Sequence, residues 1–245
     1  MFYQSIRIQI AIITKLINNT KFKIDKGDHL LDTHTHILWN IDDGSKNQCM
    51  SLQMLEIAAR SGTKAIFATP HVIERANKPS WEEIKEKTQQ LRQLCAEAQI
   101  DIMLYPGAEV QMNWELLPEL GAAGAYCLNG GRYLLVELPA AEIPAYADEF
   151  WYELELKGIT PILAHPERYQ QLRENPDLLL LWRRRGMLMQ CNSGSFTGMF
   201  GSSVCENAKV LLANGLVDLL GSDGHRSEGR NTDMSRAAAV IRQLA

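Results

Sequence analysis

The stretch RYLLVELP, residues 132–139, decides how the rest of the chain is read. Tyr133 to Val136 form an unbroken apolar run, and Glu137 then interrupts it. Apolar strands without alternation belong to parallel sheets covered on both faces. A carboxylate at the end of such a strand is costly to bury unless it is paired or bound to a metal. The same form recurs in HLLDTHTH, TKAIFATPH, DIMLYPGAE, ITPILAHPER, GMLMQCNSG and LVDLLGSDGH. The polar residues that close the seven runs fall at 36, 71, 109, 137, 165, 192 and 223. Their spacing matches one strand–loop–helix unit with its return.

Helical patterns lie between the runs, over 46–61, 80–99, 145–157, 176–185, 203–214 and 232–244. Gly62, Gly158, Gly186 and Gly215 stand just after four of them, where a C-terminal cap belongs. Ser80 has Glu83 at the capping-box offset before an amphipathic stretch. Strands alternating with helices give a parallel α/β architecture. Seven units favour a closed or nearly closed (β/α)7 TIM-like barrel over a doubly wound sheet. The missing G-x-G-x-x-G after the first strand points the same way.

The 245 residues, 46% hydrophobic and 22% charged, are enough for one barrel with a large core. A net charge of −4 argues against a nucleic-acid surface. The basic run Arg183 to Arg185 reads as a solvated helix end. The five scattered cysteines form no C-x-x-C pair and suit reduced thiols in the cytoplasm. None of them begins a C-x5-R signature, so a thiolate phosphatase is excluded. Residues 1–28 are mildly apolar, but Arg7 and Lys15 interrupt them. They read as an extra element of uncertain order rather than a membrane span or signal peptide. Residues 29–245 then form a single domain.

Barrel enzymes build their sites at the C-terminal ends of the strands. His34, His36, His71, His165 and His225, five of the six histidines, stand there with Glu109, Glu137, Asn192 and Asp223. Each alone reads as a loop-capping hydrogen bonder, and Asp42 and Asp43 before Gly44 read as a turn as readily as a site. Together, three carboxylates beside five imidazoles require cations. Imidazole and carboxylate without thiolate suit Mn²⁺, Fe, Zn²⁺ or Mg²⁺. Some eight ligands are too many for one ion, so two or three are expected. Such a cluster acidifies a bridging water and clamps a phosphoryl oxygen, the layout of phosphoester hydrolysis. Arg168, three residues after His165, is a candidate phosphate ligand, as are Arg230 and, more weakly, Arg226.

The ordered motifs DTHTH, DDG, ATPH, PGAE, LLVEL, LAHPER, NSGS and GSDGH resemble the PHP (polymerase and histidinol phosphatase) superfamily. Within it they resemble the bacterial protein tyrosine phosphatases of capsular and exopolysaccharide operons. The resemblance spans about residues 30–240. It implies a distorted (β/α)7 barrel and a trinuclear, typically manganese site. His34, His36, Glu109 and Asp223 would hold one metal, Glu109, Glu137 and His165 a second, and Asp43, His71 and His225 a third. Arg168 and Arg230 match phosphate-contacting arginines. The implied substrate is the phosphotyrosine-bearing tail of a polysaccharide-export kinase, attacked by a metal-bridged hydroxide. Two alternatives keep other classes open: a phosphoesterase acting on a small phosphomonoester such as histidinol phosphate, and a non-catalytic regulatory partner of the kinase.

Overall fold

The computed structural model describes residues 30–244, so the N-terminal stretch over 1–28 lies outside the described residues. Seven parallel strand positions run in chain order around the domain. Position one is β1 (Leu30–Thr35). Positions two and three are each broken in two. The second comprises β2 (Thr63–Ala68) and β3 (His71–Val72), and the third β4 (Met103–Pro106) and β5 (Glu109–Gln111). β6 (Tyr133–Glu137), β7 (Thr160–Ala164), β8 (Leu188–Asn192) and β9 (Leu219–Gly221) complete the set.

The two breaks correct the reading of TKAIFATPH and DIMLYPGAE as single strands. Pro70 has no N–H to give to a ladder, and Gly107 sits so close to Leu128 that a Cβ there would lie 2.7 Å from its side chain. The chain therefore bends at both places, dividing the ladder into sheets ordered β1-β2-β4 and β3-β5-β6-β7-β8-β9. The seam between β9 and β1 is closed by backbone bonds, Asp223 N to His34 O at 2.7 Å and His36 N to Gly224 O at 3.0 Å. The expected seven-unit barrel is thus present, distorted where its second and third strands kink.

The helices fall close to their expected spans. They are α1 (Gln48–Arg60), α2 (Trp81–Glu97), α3 (Ala147–Leu156), α4 (Gln170–Glu174), α5 (Pro176–Arg184), α6 (Ser193–Phe196), α7 (Ser202–Ala213) and α8 (Ser235–Leu244). The Ser80 side chain accepts from Glu83 N at 3.1 Å and starts α2 as its cap. No α-helix follows β5, where the chain runs through turns to a 3₁₀ turn at Leu128–Gly130. Between barrel and helices lies the larger core, in which Phe150, Trp151 and Trp182 are fully buried. A second cluster fills the barrel itself with Ala65, Phe67, Tyr105, Leu135, Ile162 and Ala164. Arg183 is more than a solvated helix end, because its guanidinium pairs with the buried Asp218.

Candidate metal centre

The Nε2 atoms of His34 and His36 converge to 3.1 Å. Each ring is aimed through its other nitrogen. His34 Nδ1 donates to Gln190 Oε1 at 3.0 Å, and His36 Nδ1 donates to Asp42 Oδ2 at 2.7 Å. A proton on Nδ1 leaves the Nε2 lone pair for a metal, the arrangement typical of ligating histidines. Asp42 is held in turn by the N–H groups of Gly44 and His71, at 2.9 and 3.0 Å.

Opposite the two imidazoles stand Glu109 and Asp223. Glu109 Oε2 lies 3.0 Å from His34 Nε2, 3.2 Å from His36 Nε2 and 3.1 Å from His71 Nδ1. It is buried, yet it accepts no hydrogen bond within the described residues. Its other oxygen accepts from His165 Nε2 at 3.0 Å. Asp223 Oδ1 is 3.6 and 3.4 Å from the same two Nε2 atoms. Toward solvent, Asp43 Oδ1 is 3.4 Å from His225 Nε2 and 3.8 Å from His71 Nε2. Glu137 Oε1 is 3.2 Å from His71 Nδ1. Asp43 is 65% exposed, whereas His34, His36, Glu109 and Asp223 are buried, so the cluster has a closed floor and an open mouth.

These separations fit metal coordination. Ligand atoms about 2.1 Å from one ion lie roughly 3.0 Å apart along an octahedral edge and roughly 3.4 Å along a tetrahedral one. The four-residue floor shows edges of 3.0 to 3.6 Å. Three imidazole nitrogens crowd one carboxylate oxygen that forms no hydrogen bond, which is the donor set of a ligand cage. Four overlapping groups could each hold an ion: His36–Asp43–His71–His225, His34–His36–Asp223, His34–Glu109–His165 and His71–Glu109–Glu137.

Electrostatics agree. Burial alone would raise the Glu109 carboxyl, but His34, His71 and His165 hold it well below the usual range. Asp223 is likewise lowered against its burial, by His34 and His36. Burial would lower His34 and His36, yet the surrounding carboxylates push both up, His36 strongly. The carboxylates thus favour positive charge between them, which protons on the rings or a bound cation would supply. His225 moves the other way, lowered by burial and by the neighbouring His36.

Both candidate arginines reach the centre through one carboxylate. Arg168 Nη1 donates to Asp223 Oδ2 at 3.0 Å, and Arg230 Nη2 lies 2.6 Å from Asp223 Oδ1. Their guanidinium carbons sit 4.8 and 5.7 Å from the Phe200 ring centre. Arg226 is occupied elsewhere, donating to the Gly44 carbonyl at 2.8 Å. Asn192 Nδ2 gives Asp223 Oδ2 a further bond at 2.7 Å.

Every sequence-derived candidate except Arg226 thus comes to one rim, with two changes of grouping. His71 bridges the second and third sets rather than belonging only to the third, and His165 falls with His34 and Glu109. Supporting residues escaped the sequence reading. Asp32 Oδ1 accepts from Ser222 N at 2.8 Å and ties β1 to the end of β9; burial raises its carboxyl to about 6. Gln190 aims His34. The buried Glu167 accepts from Asn192 N at 2.9 Å and Ser195 Oγ at 2.7 Å. A period-two reading back from the strand ends marks Asp32 and Gln190, two residues before His34 and Asn192. Phe200, within a loop, leaves no such signal.

Residues 30–245 match the capsular polysaccharide synthesis family CpsB/CapC. The chain belongs to that family. It is 34% identical to the tyrosine-protein phosphatase YwqE of Bacillus subtilis, over 86% of this chain and 84% of that one. The putative tyrosine-protein phosphatase CapC of Staphylococcus aureus is 31% identical over 82% and 79%. Among solved structures, the metal-dependent tyrosine phosphatases YwqE of B. subtilis and CpsB of Streptococcus pneumoniae supply a match of TM-score 0.82 at 33% identity, covering 87% of each chain. Histidinol phosphate phosphatase of Lactococcus lactis, at 17% identity and TM-score 0.59 over 88% and 94%, shares the fold. Family membership and the barrel thus agree with the resemblance read from the motifs.

Proposed function

We propose that this chain is a metal-dependent tyrosine phosphatase whose substrate is the phosphotyrosine-bearing tail of a polysaccharide-export kinase. The observation that carries the reading is Glu109 Oε2, buried among three imidazole nitrogens without a hydrogen bond. His34, His36, Glu109 and Asp223 would hold one ion, His71, Glu109 and Glu137 a second, and Asp43, His71 and His225 a third, with His165 on the other Glu109 oxygen. Two to three divalent ions are accommodated, manganese first, with Fe, Zn²⁺ and Mg²⁺ compatible with the same donors. Such ions acidify an attacking water and withdraw charge from the phosphoryl oxygens.

The protein's own groups do the rest. Arg168 and Arg230 hold the phosphoryl group beside Asp223, and bidentate guanidinium contacts fix its orientation. Gln190 and Asp42 keep the two floor imidazoles aimed inward. No cysteine enters the site, consistent with direct hydrolysis rather than a covalent phosphoenzyme. The reading is supported by the tyrosine phosphatase relatives at 31 and 34% identity. A cytoplasmic location is supported by five unpaired cysteines. No helix among the described residues is long and apolar enough to cross a membrane.

The test is to strip metal with a chelator, then titrate back Mn²⁺, Fe²⁺, Zn²⁺ and Mg²⁺ while following bound metal by elemental analysis. Hydrolysis of a phosphotyrosine peptide should vanish and return with metal. Full activity in chelator, or faster turnover of histidinol phosphate than of the peptide, would refute the assignment.

A further inference from the structure

The metal centre leaves unexplained a cleft of about 420 Å³ that opens beside it. One wall is residues 139–143, leaving β6 just after Glu137. The other is Arg168 to Gln171 with Glu174, which follow β7 and His165. Both walls begin at the C-terminal ends of their strands, on the face that carries the site. Arg168 lines the cleft and also reaches Asp223 Oδ2 at 3.0 Å, so a phosphoryl group held there sits at the cleft's head.

The walls are fixed to one another. The Tyr169 hydroxyl accepts from Leu138 N at 2.9 Å and donates to Leu138 O at 3.2 Å, and Ile143 N donates to Gln171 Oε1 at 2.7 Å. The cleft is therefore preformed, and its volume is that of a ligand site. Its lining suits a polypeptide rather than a small aromatic ligand. Ala140 and Ala141 are small and exposed on one wall, and polar Glu142, Gln170 and Glu174 are exposed too, the last two joined by a hydrogen bond of 2.6 Å. Arg168 is the one cation in the lining, and two carboxylates repel a second phosphate.

Building on the phosphotyrosine reading above, we propose that this cleft is the subsite for the polypeptide next to the phosphotyrosine. It holds an extended segment with neutral or cationic side chains, making main-chain contacts in the manner of other extended-peptide sites.

The experiment compares phosphotyrosine amide, a phosphotyrosine peptide with three neutral residues on each side, and p-nitrophenyl phosphate, all with the metal-loaded protein. Ala140→Trp narrows the cleft from one wall and Gln170→Trp from the other, and neither belongs to the metal or phosphate machinery. Each variant should raise the peptide KM about tenfold by steric exclusion, while kcat/KM for p-nitrophenyl phosphate stays within about twofold. Wild type should favour the peptide over the amide, and both variants should lose that preference. An unchanged peptide KM in both variants would overturn the subsite, as would an equal loss on peptide and p-nitrophenyl phosphate. If the wild type turns over p-nitrophenyl phosphate but no phosphotyrosine peptide, the phosphotyrosine reading fails, and the subsite with it.

Discussion

The lower and upper halves of the barrel interior are built from the same strands and solve opposite problems. Below, Phe67, Tyr105, Leu135 and Ala164 point inward and pack as a dry core, with Phe67 and Tyr105 stacked at 5.3 Å. Above, the inward positions are His34, His36, Glu109, His165 and Asp223, equally buried and all ionisable. On β6 the switch takes two residues, from Leu135 to Glu137. The lower half stabilises the fold by removing apolar surface from water. The upper half spends part of that stability unless cations neutralise it. One end holds the barrel together so that the other can be strained by function. At the upper rim His165 and Asp223 adopt left-handed φ angles of 37° and 52°, so two of its groups are held on strained backbone.

The comparison breaks most visibly if one substitution is made in each half. His36→Ala removes a floor ligand that also contacts Glu109 and Asp223, and should lower turnover of p-nitrophenyl phosphate by roughly 10³-fold or more, the scale of losing one member of a catalytic unit. Phe67→Ala should do the reverse. It leaves a cavity in the dry half and costs about 3–5 kcal/mol of stability, read by denaturant unfolding. Bound metal per folded molecule and activity at low temperature should stay near wild type. Loss of metal and turnover in folded Phe67→Ala on the scale of His36→Ala would mean that the halves are not separable.

Which half the sequence disclosed follows from the same physics. Inward ionisable residues interrupt apolar runs, so Glu137 in LLVELP and Asp223 in LLGSDGH are visible without coordinates. Period and spacing gave seven units and nearly every helix. The kinks at Pro70 and Gly107 were not legible as strand breaks, because TKAIFATPH and DIMLYPGAE read as continuous runs until Gly107 is seen against Leu128. Partner choice was hidden too. His71 contacts Glu109 and Glu137 only because β3 and β5 pair in register, His71 opposite Glu109. Asp42 looked half like a turn, and it is one, yet the same carboxylate orients His36.

Acidity separates the halves more gently. In the chelated protein His34 and His36 stand above their ordinary value of 6.5. A raised histidine contributes stability that is fully present below its unfolded value and is lost as pH rises through the folded one. Glu109 and Asp223 are lowered, so their contribution is present above the ordinary carboxylate range and lost on acidification. The chelated protein should therefore be most stable between that range and pH 6.5, and weaken on going to pH 8. The metal-loaded protein should show the opposite slope, because ions must displace those protons, with apparent affinity falling about tenfold per pH unit for each proton displaced. Thermal melts at several pH values, with chelator or with excess Mn²⁺, check the sign. Parallel slopes would show that the imidazoles are not protonated in the chelated state.

The smallest effect concerns the aromatic ring that lies against the two rim arginines. Phe200 lies against both arginines, 4.8 and 5.7 Å from their guanidinium carbons. A guanidinium over a ring is worth about 0.5–1 kcal/mol where solvent reaches it and about 2 kcal/mol where it does not. Arg168 and Arg230 are each 33% exposed, which places the pair toward the lower figure. Phe200→Leu keeps most of the volume and removes the π face, so KM for p-nitrophenyl phosphate and the inhibition constant for inorganic phosphate should each rise roughly threefold to fivefold. The kcat at saturating substrate and the metal content should hold, since no metal ligand touches the ring. Phe200→Tyr should behave as wild type. If leucine serves as well as phenylalanine, the ring only fills space, and Asp223 alone sets the two arginines.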